Sequence, residues 1–201
     1  MTWVKVCGVT DRKIAEVAAD AGADAIGLVL AVSPRMVTVD LARQIGRGIP
    51  VVKVLVTVDM PPDELIVAVE QTGSDAVQPH GRHAADSAGA AQRAGLLVLR
   101  PVSVNGVVDL GFVPAGQLPL LDAAADGSHG GSGRAFDWNL IGHQQRDFVL
   151  AGGLDPENVA NAVARVRPFG VDASSGLESA PGVKDAVLVR RFVERAKAAR
   201  S

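Results

Sequence analysis

Short runs of valine, leucine and alanine recur along this chain, each followed by a longer stretch of helical pattern, and that rhythm leaves few folds open. The runs fall at Trp3–Val6, Ala25–Leu30, Val51–Val56, Ala76–Gln78, Leu96–Val102, Leu118–Asp122, Phe148–Ala151 and Gly170–Ala173. Helices are predicted between them at Asp11–Ala21, Asp40–Gly46, Pro62–Thr72, Ala84–Ala94, Phe136–Gly142, Pro156–Arg165 and Lys184–Ala199. Strands covered on both faces read as continuous apolar runs, and their alternation with helices indicates a parallel sheet. Asp11 is placed to cap the first helix, and Asp155-Pro156 reads as a cap followed by proline at the first helical position. Gly22 and Gly95 stand where helices must end. The glycines and prolines of Asn105–Gln117 argue against a regular fifth helix, so that connection is expected to be mostly loop.

Eight strands and about seven helices suit either a closed barrel or an open doubly wound sheet. Polar residues follow nearly every strand instead of flanking one crevice, which favours the barrel. No Pro-, Gly- or Ser-rich linker divides the 201 residues, a length that one core can serve. The expected fold is α/β: a single (β/α)8 (TIM) barrel domain over 1–201, with a short extra helix after strand eight and a weak or irregular fifth helix.

Composition excludes several partners. Aromatics make up only 3% of the chain and tyrosine is absent, so the stacking platforms of single-strand nucleic-acid binders are missing. The net charge is −2 with both signs interspersed and no basic run, which leaves no phosphate-backbone footprint. One cysteine cannot close an internal disulfide, and a reducing compartment is the simplest context. The start, MTWVKVCGVT, lacks the features of a signal peptide, and the apolar stretches are too short to span a bilayer. A cytoplasmic protein that contacts neither membrane nor nucleic acid is expected.

Reactive groups in a parallel barrel belong at the C-terminal ends of the strands. Alternation puts Trp3, Lys5 and Cys7 on one face of the first strand, with Cys7 at the mouth. A free cysteine is commonly just a small buried hydrophobe, but Gly8-Val9-Thr10-Asp11 follows as a polar turn that opens a helix. Asp122 ends Leu118-Pro119-Leu120-Leu121, where it either caps the next loop or aims into the mouth beside Leu120. Glycine-rich turns follow strands six, seven and eight: Gly130-Gly131-Ser132-Gly133, Ala151-Gly152-Gly153 and Ser174-Ser175-Gly176. Together they suggest backbone N–H groups converging on a phosphate, with Gly176–Ser179 as the short extra helix. Arg35, in Ser33-Pro34-Arg35, has the planar fork that suits a carboxylate. His80 closes Val77-Gln78-Pro79-His80 after strand four, either as a structural hydrogen-bonding group or at the site. The four histidines are scattered and Cys7 has no partner cysteine, which argues against zinc.

These segments, in this order, resemble the phosphoribosylanthranilate isomerase family of tryptophan biosynthesis. The resemblance rests on Lys5–Thr10, Ser33–Arg35, Val77–Gly81, Leu121-Asp122, Gly130–Trp138, Leu150–Val159 and Gly170–Glu178, and so covers nearly the whole chain. It implies an Amadori rearrangement with Asp122 as general acid, Cys7 as general base and Arg35 on the anthranilate carboxylate. It further implies substrate binding by His80, Gly131, Gly152, Gly153, Asp172, Ser174, Ser175 and Gly176, with no cofactor or metal, in a monomer or homodimer. A free thiol titrates at about 8.5 and a free aspartate at about 3.9. The site is therefore expected to lower Cys7, using Lys5, and to raise Asp122. Pro79 stands where the family has an aliphatic residue, His129 where it often has an aromatic, and Leu30–Ser33 is short. The ring-binding contacts are where departures are expected. A barrel isomerase of histidine biosynthesis uses acids at both catalytic positions, so Cys7 argues against that family. Intact Cys7, Asp122 and Arg35 likewise argue against a non-catalytic phosphate-binding barrel.

Overall fold

The computed structural model describes residues 1–123 and 137–199. Eight parallel strands close into a barrel in chain order: β1 (Trp3–Cys7), β2 (Ala25–Val29), β3 (Val52–Val58), β4 (Ala76–His80), β5 (Leu97–Val104), β6 (Leu118–Ala123), β7 (Val149–Leu150) and β8 (Gly170–Ala173). The ring is completed by β1 against β8, with Lys5 opposite Asp172. Helices α1 (Arg12–Asp20), α2 (Val39–Gly46), α3 (Pro62–Thr72), α4 (Ala84–Arg93), α5 (Val159–Val166) and α6 (Ala186–Ala198) cover the outside. Among the described residues no helix is long and apolar enough to cross a membrane.

The alternation read from sequence partitions the core. Cys7, Ala25, Val29, Val54, Val56, Ala76, Leu99, Leu120 and Val149 fill the barrel interior. The intervening residues, such as Val4, Val6, Ile26, Leu28, Leu121 and Val171, pack outward against the helices. A second outer cluster joins Leu55, Val77 and Val98 to Leu65 and Ala68 of α3 and Ala88 of α4. Each fully buried branched side chain contributes about 1.5–3 kcal/mol of transfer free energy, so this wall holds the mouth rigid.

Asp11 caps α1 as expected, accepting from the Lys13 N–H at 2.6 Å. Between β5 and β6 there is no helix, in keeping with the glycines and prolines of that stretch. Its carbonyls are instead held by Arg146, which donates to the oxygens of Val113 (2.7 Å) and Gln117 (2.8 Å).

Three expectations need correction. Regular helix in the Pro156–Arg165 segment begins only at Val159; Asp155 accepts from the Glu157 and Asn158 N–H groups as a cap, and residues 156–158 form a turn that leads into α5. The segment predicted as helix over Phe136–Gly142 is a 3-10 helix at Trp138–Ile141, with Phe136 outside the described residues. The short extra helix expected over Gly176–Ser179 is present, but one residue earlier and shorter. One 3-10 turn at Ser175–Leu177 leads into a hairpin of β9 (Glu178–Ala180) and β10 (Val183–Lys184), so Lys184 is strand and α6 starts after the Asp185 cap. Pro79 is accommodated within β4, which keeps its register on β3 through to His80.

Candidate active site

A cavity of about 660 Å³ opens at the C-terminal end of the barrel. It collects Cys7 from β1, Arg35 from the loop after β2, His80 from β4 and Asp122 from β6. Gly152 and Gly153 line it from the loop after β7, and Asp172, Ser174 and Ser175 from β8 and its loop. Gly131 lies outside the described residues, as do the rest of its turn and His129.

Two glycines make room for Cys7 and Asp122. A Cβ at Gly27, the β2 partner of Cys7, would stand 2.7 Å from the Cys7 sulfur. A Cβ at Gly152 would stand 3.0 Å from an Asp122 carboxylate oxygen. Gly27 was visible in the sequence as a glycine inside a strand, a usual mark of close approach.

Gly176 does not line the cavity. A Cβ there would meet the Leu154 carbonyl oxygen at 2.2 Å, so this glycine lets the loop after β8 lie directly on the loop after β7. Gly176→Ala is expected to cost about 1–3 kcal/mol through overpacking. A urea titration of the variant checks this; an unchanged midpoint would show that the two loops can separate freely.

Below the mouth lies a buried polar chain. Lys5, fully buried, donates from Nζ to Asp172 Oδ2 at 2.8 Å and to Gln78 Oε1 at 2.9 Å. Gln78 Nε2 and His80 Nε2 are 3.0 Å apart in a further hydrogen bond. The other Asp172 oxygen, Oδ1, is buried without a partner among the described residues. Gln78 belongs to this chain although sequence reading gave it no role; its signal was its place on the inward alternation of β4 between Ala76 and His80.

These charges set the acid–base states. Burial pushes the Asp122 carboxyl up to about 6, with the Asp172 carboxylate adding to it against Lys5 and the Ala123 N–H. Asp122 is thus raised as expected. Cys7 is not lowered. Burial pushes its thiol up, Lys5 and Lys184 pull it down, Asp172 pushes it up again, and the balance lies above the ordinary value. Burial is the largest of these influences, and the pull of Lys5, itself paired with Asp172 at 2.8 Å, does not overcome it. Lys5 itself, which burial would depress, is held above its usual range by Asp172 and Cys7.

Arg35 reaches the cavity rim but is already engaged. Its Nε and Nη2 fork onto Glu178 at 2.6 and 2.9 Å, and Lys184 joins the same carboxylate at 2.5 Å. Neither Glu178 nor Lys184 was singled out from sequence: Glu178 meets Arg35 across 143 positions of chain, and Lys184, six residues after Glu178, joins the site only through that carboxylate. Among the described residues no group of three His, Cys, Asp or Glu side chains is arranged to hold a metal ion.

The fold and this mouth define a (β/α)8 barrel whose strand ends gather a thiol, carboxyls, an imidazole and a guanidinium around one cavity. A family model described as N-(5'phosphoribosyl)anthranilate (PRA) isomerase matches residues 4–195. The N-(5'-phosphoribosyl)anthranilate isomerase of Rubrobacter xylanophilus is 43% identical over 205 residues, spanning 98% of this chain and 100% of the relative. The crystal structure of phosphoribosyl anthranilate isomerase from Thermotoga maritima matches with a TM-score of 0.88 at 37% identity, over 98% of this chain and 100% of that one. Another solved isomerase, in complex with reduced 1-(o-carboxyphenylamino)-1-deoxyribulose 5-phosphate, matches with a TM-score of 0.82 at 33% identity, over 98% and 100%. The chain belongs to the N-(5'-phosphoribosyl)anthranilate isomerase family.

Proposed function

We propose that this protein catalyses the Amadori rearrangement of N-(5-phosphoribosyl)anthranilate to 1-(2-carboxyphenylamino)-1-deoxyribulose 5-phosphate in tryptophan biosynthesis. The observation that carries this is the convergence of Cys7 and Asp122 on one cavity, from strands three places apart round a ring of eight.

Asp122, raised so that it holds a proton at mildly acidic pH, protonates the ribose ring oxygen. The C1–O bond breaks as the amine nitrogen lone pair forms the Schiff base. The Cys7 thiolate then removes the C2 proton, and the electrons flow to nitrogen to give an enolamine that tautomerises to the ketone. Two proton carriers suffice, with no metal or redox cofactor. The Gly152, Gly153 and Ser174 N–H groups are used by no turn or loop hydrogen bond among the described residues, and they receive the phosphate together with Ser175. Gly131 would complete that cradle. Asp172 Oδ1, buried and without a partner among the described residues, accepts from a sugar hydroxyl. His80, bonded to Gln78, borders the same space. Arg35 clamps the anthranilate carboxylate. The whole chain serves as one barrel domain, in a cytoplasmic monomer or homodimer.

The test is the loss of fluorescence as phosphoribosyl anthranilate, generated in situ, is consumed by the purified protein. A folded preparation without turnover would overturn the proposal. Arg35→Ala is expected to raise KM about 10–100-fold with a smaller effect on kcat, since charge-assisted hydrogen bonds contribute about 1.5–3 kcal/mol. An unchanged KM would remove Arg35 from carboxylate binding.

A further inference from the structure

A guanidinium has two forks, one through Nε and Nη2 and one across Nη1 and Nη2, and each can grip a carboxylate. In Arg35 the first fork is closed on Glu178 at 2.6 and 2.9 Å. The second is open: Nη1 bonds to no described residue, and Arg35 borders the cavity.

Glu178 is itself held from several sides. Its side chain is 5% exposed, it takes the Lys184 ammonium at 2.5 Å, and it accepts from the Gly182 N–H at 3.2 Å. Burial would raise this carboxyl, but the Arg35 and Lys184 bonds outweigh it and keep Glu178 ionised. The hairpin that carries Glu178 and Lys184 is seated on the loop of Arg35. A Cβ at Gly182 would stand 2.1 Å from the Pro34 carbonyl oxygen, and Thr10 Oγ1 donates to the Gly182 oxygen at 3.3 Å.

An arginine locked onto a glutamate would ordinarily be a spent charge. Here Lys184, only 1% exposed, shares the carboxylate, so the three groups together keep one positive charge beside the cavity. A merely structural ion pair has no need of the second cation or of an open fork at a pocket rim.

We propose that Glu178 is a positioning residue for substrate binding: it grips one fork of Arg35 so that the other, backed by the charge of Lys184, faces the ring carboxylate. This rests on Arg35 being the carboxylate clamp, and it assigns the hairpin after β8 to ring recognition.

The test compares Glu178→Asp, Arg35→Ala and the double variant by KM, kcat, the dissociation constant for anthranilate alone, inhibition by inorganic phosphate, and melting temperature. Aspartate keeps the negative charge that buried Lys184 requires, so the variant folds, but its shorter stem cannot close the fork. KM and the anthranilate constant are expected to rise about 5–20-fold, further than kcat falls, with phosphate inhibition unchanged. Adding Glu178→Asp to Arg35→Ala should weaken binding no further, because Glu178 acts through Arg35. If Arg35→Ala raises KM while Glu178→Asp leaves it within about twofold, the positioning role is overturned and the clamp stands. Additive effects in the double variant overturn it too. If Arg35→Ala itself leaves KM unchanged, the clamp fails first.

Discussion

Cys7→Ser is expected to lower kcat by about 10²–10⁴-fold or more, with the barrel still folded. The base must take a proton from carbon, and a thiolate can do this where a serine alkoxide is not accessible near neutral pH. Burial already raises the thiol, so the thiolate is scarce in the free protein, and a hydroxyl in the same buried place would be scarcer by many orders of magnitude. Folding should survive because the two side chains differ by one atom and the smaller oxygen fits in the room that Gly27 leaves for the sulfur. The melting temperature and the anthranilate constant should therefore stay near those of the parent while turnover disappears. A folded serine variant working at the parent rate would reduce Cys7 to a small side chain filling the barrel.

What sequence could and could not reveal follows from the range of the interactions. The strands were legible because each is an apolar run covered on both faces, and the inward set of β1, with Lys5 and Cys7, follows from a period of two. The connection before β6 was legible as loop, but not that Arg146, about thirty positions further on, would satisfy its carbonyls. The bounds of the segment after β8 were misread for the same reason. Gly176-Leu177-Glu178-Ser179 is held by the Leu154 backbone and by Arg35, neither of which is local. The residues that line the cavity were legible by their place at strand ends. Their electrostatic state was not, because the thiol of Cys7 answers first to its burial in the closed barrel and then to Lys5 and to Asp172, which arrives from the far end of the chain. A sequence shows which lysine shares a face with the cysteine, but not which carboxylate has already claimed its charge.

Asp122→Asn is expected to reduce kcat by about 10²–10⁴-fold and to stabilise the protein at neutral pH, two opposite effects of one buried carboxyl. The carboxyl moves from an ordinary 3.8 to about 6 in the folded chain, chiefly by burial. Below about pH 4 both folded and unfolded chains hold the proton and the residue costs nothing. As pH rises from there, the unfolded chain releases its proton first, so folding becomes dearer until the folded group has also titrated, above about 6. The full cost is at most about 3 kcal/mol, and asparagine, which cannot ionise, should recover it above that pH and gain nothing at pH 4. The rate profile follows from the same state. With Asp122 at about 6 and Cys7 above the ordinary thiol value of about 8.5, the prevailing form at neutral pH has the acid ionised and the base protonated. The productive form, with the proton on the other partner, carries the same number of protons and so remains a fixed minor share between the two titrations. In the parent, kcat/KM should therefore be flat around neutrality and fall below about pH 6, where Cys7 no longer gains when Asp122 takes up its proton. In the asparagine variant the break near 6 should vanish along with the rate, and the residual rate should follow the Cys7 thiolate, falling steadily as pH drops. Urea titrations at pH 4 and pH 8 beside the rate profiles check both halves. A variant with parent turnover, or with an acid limb still near 6, would mean that another group supplies the ring-opening proton.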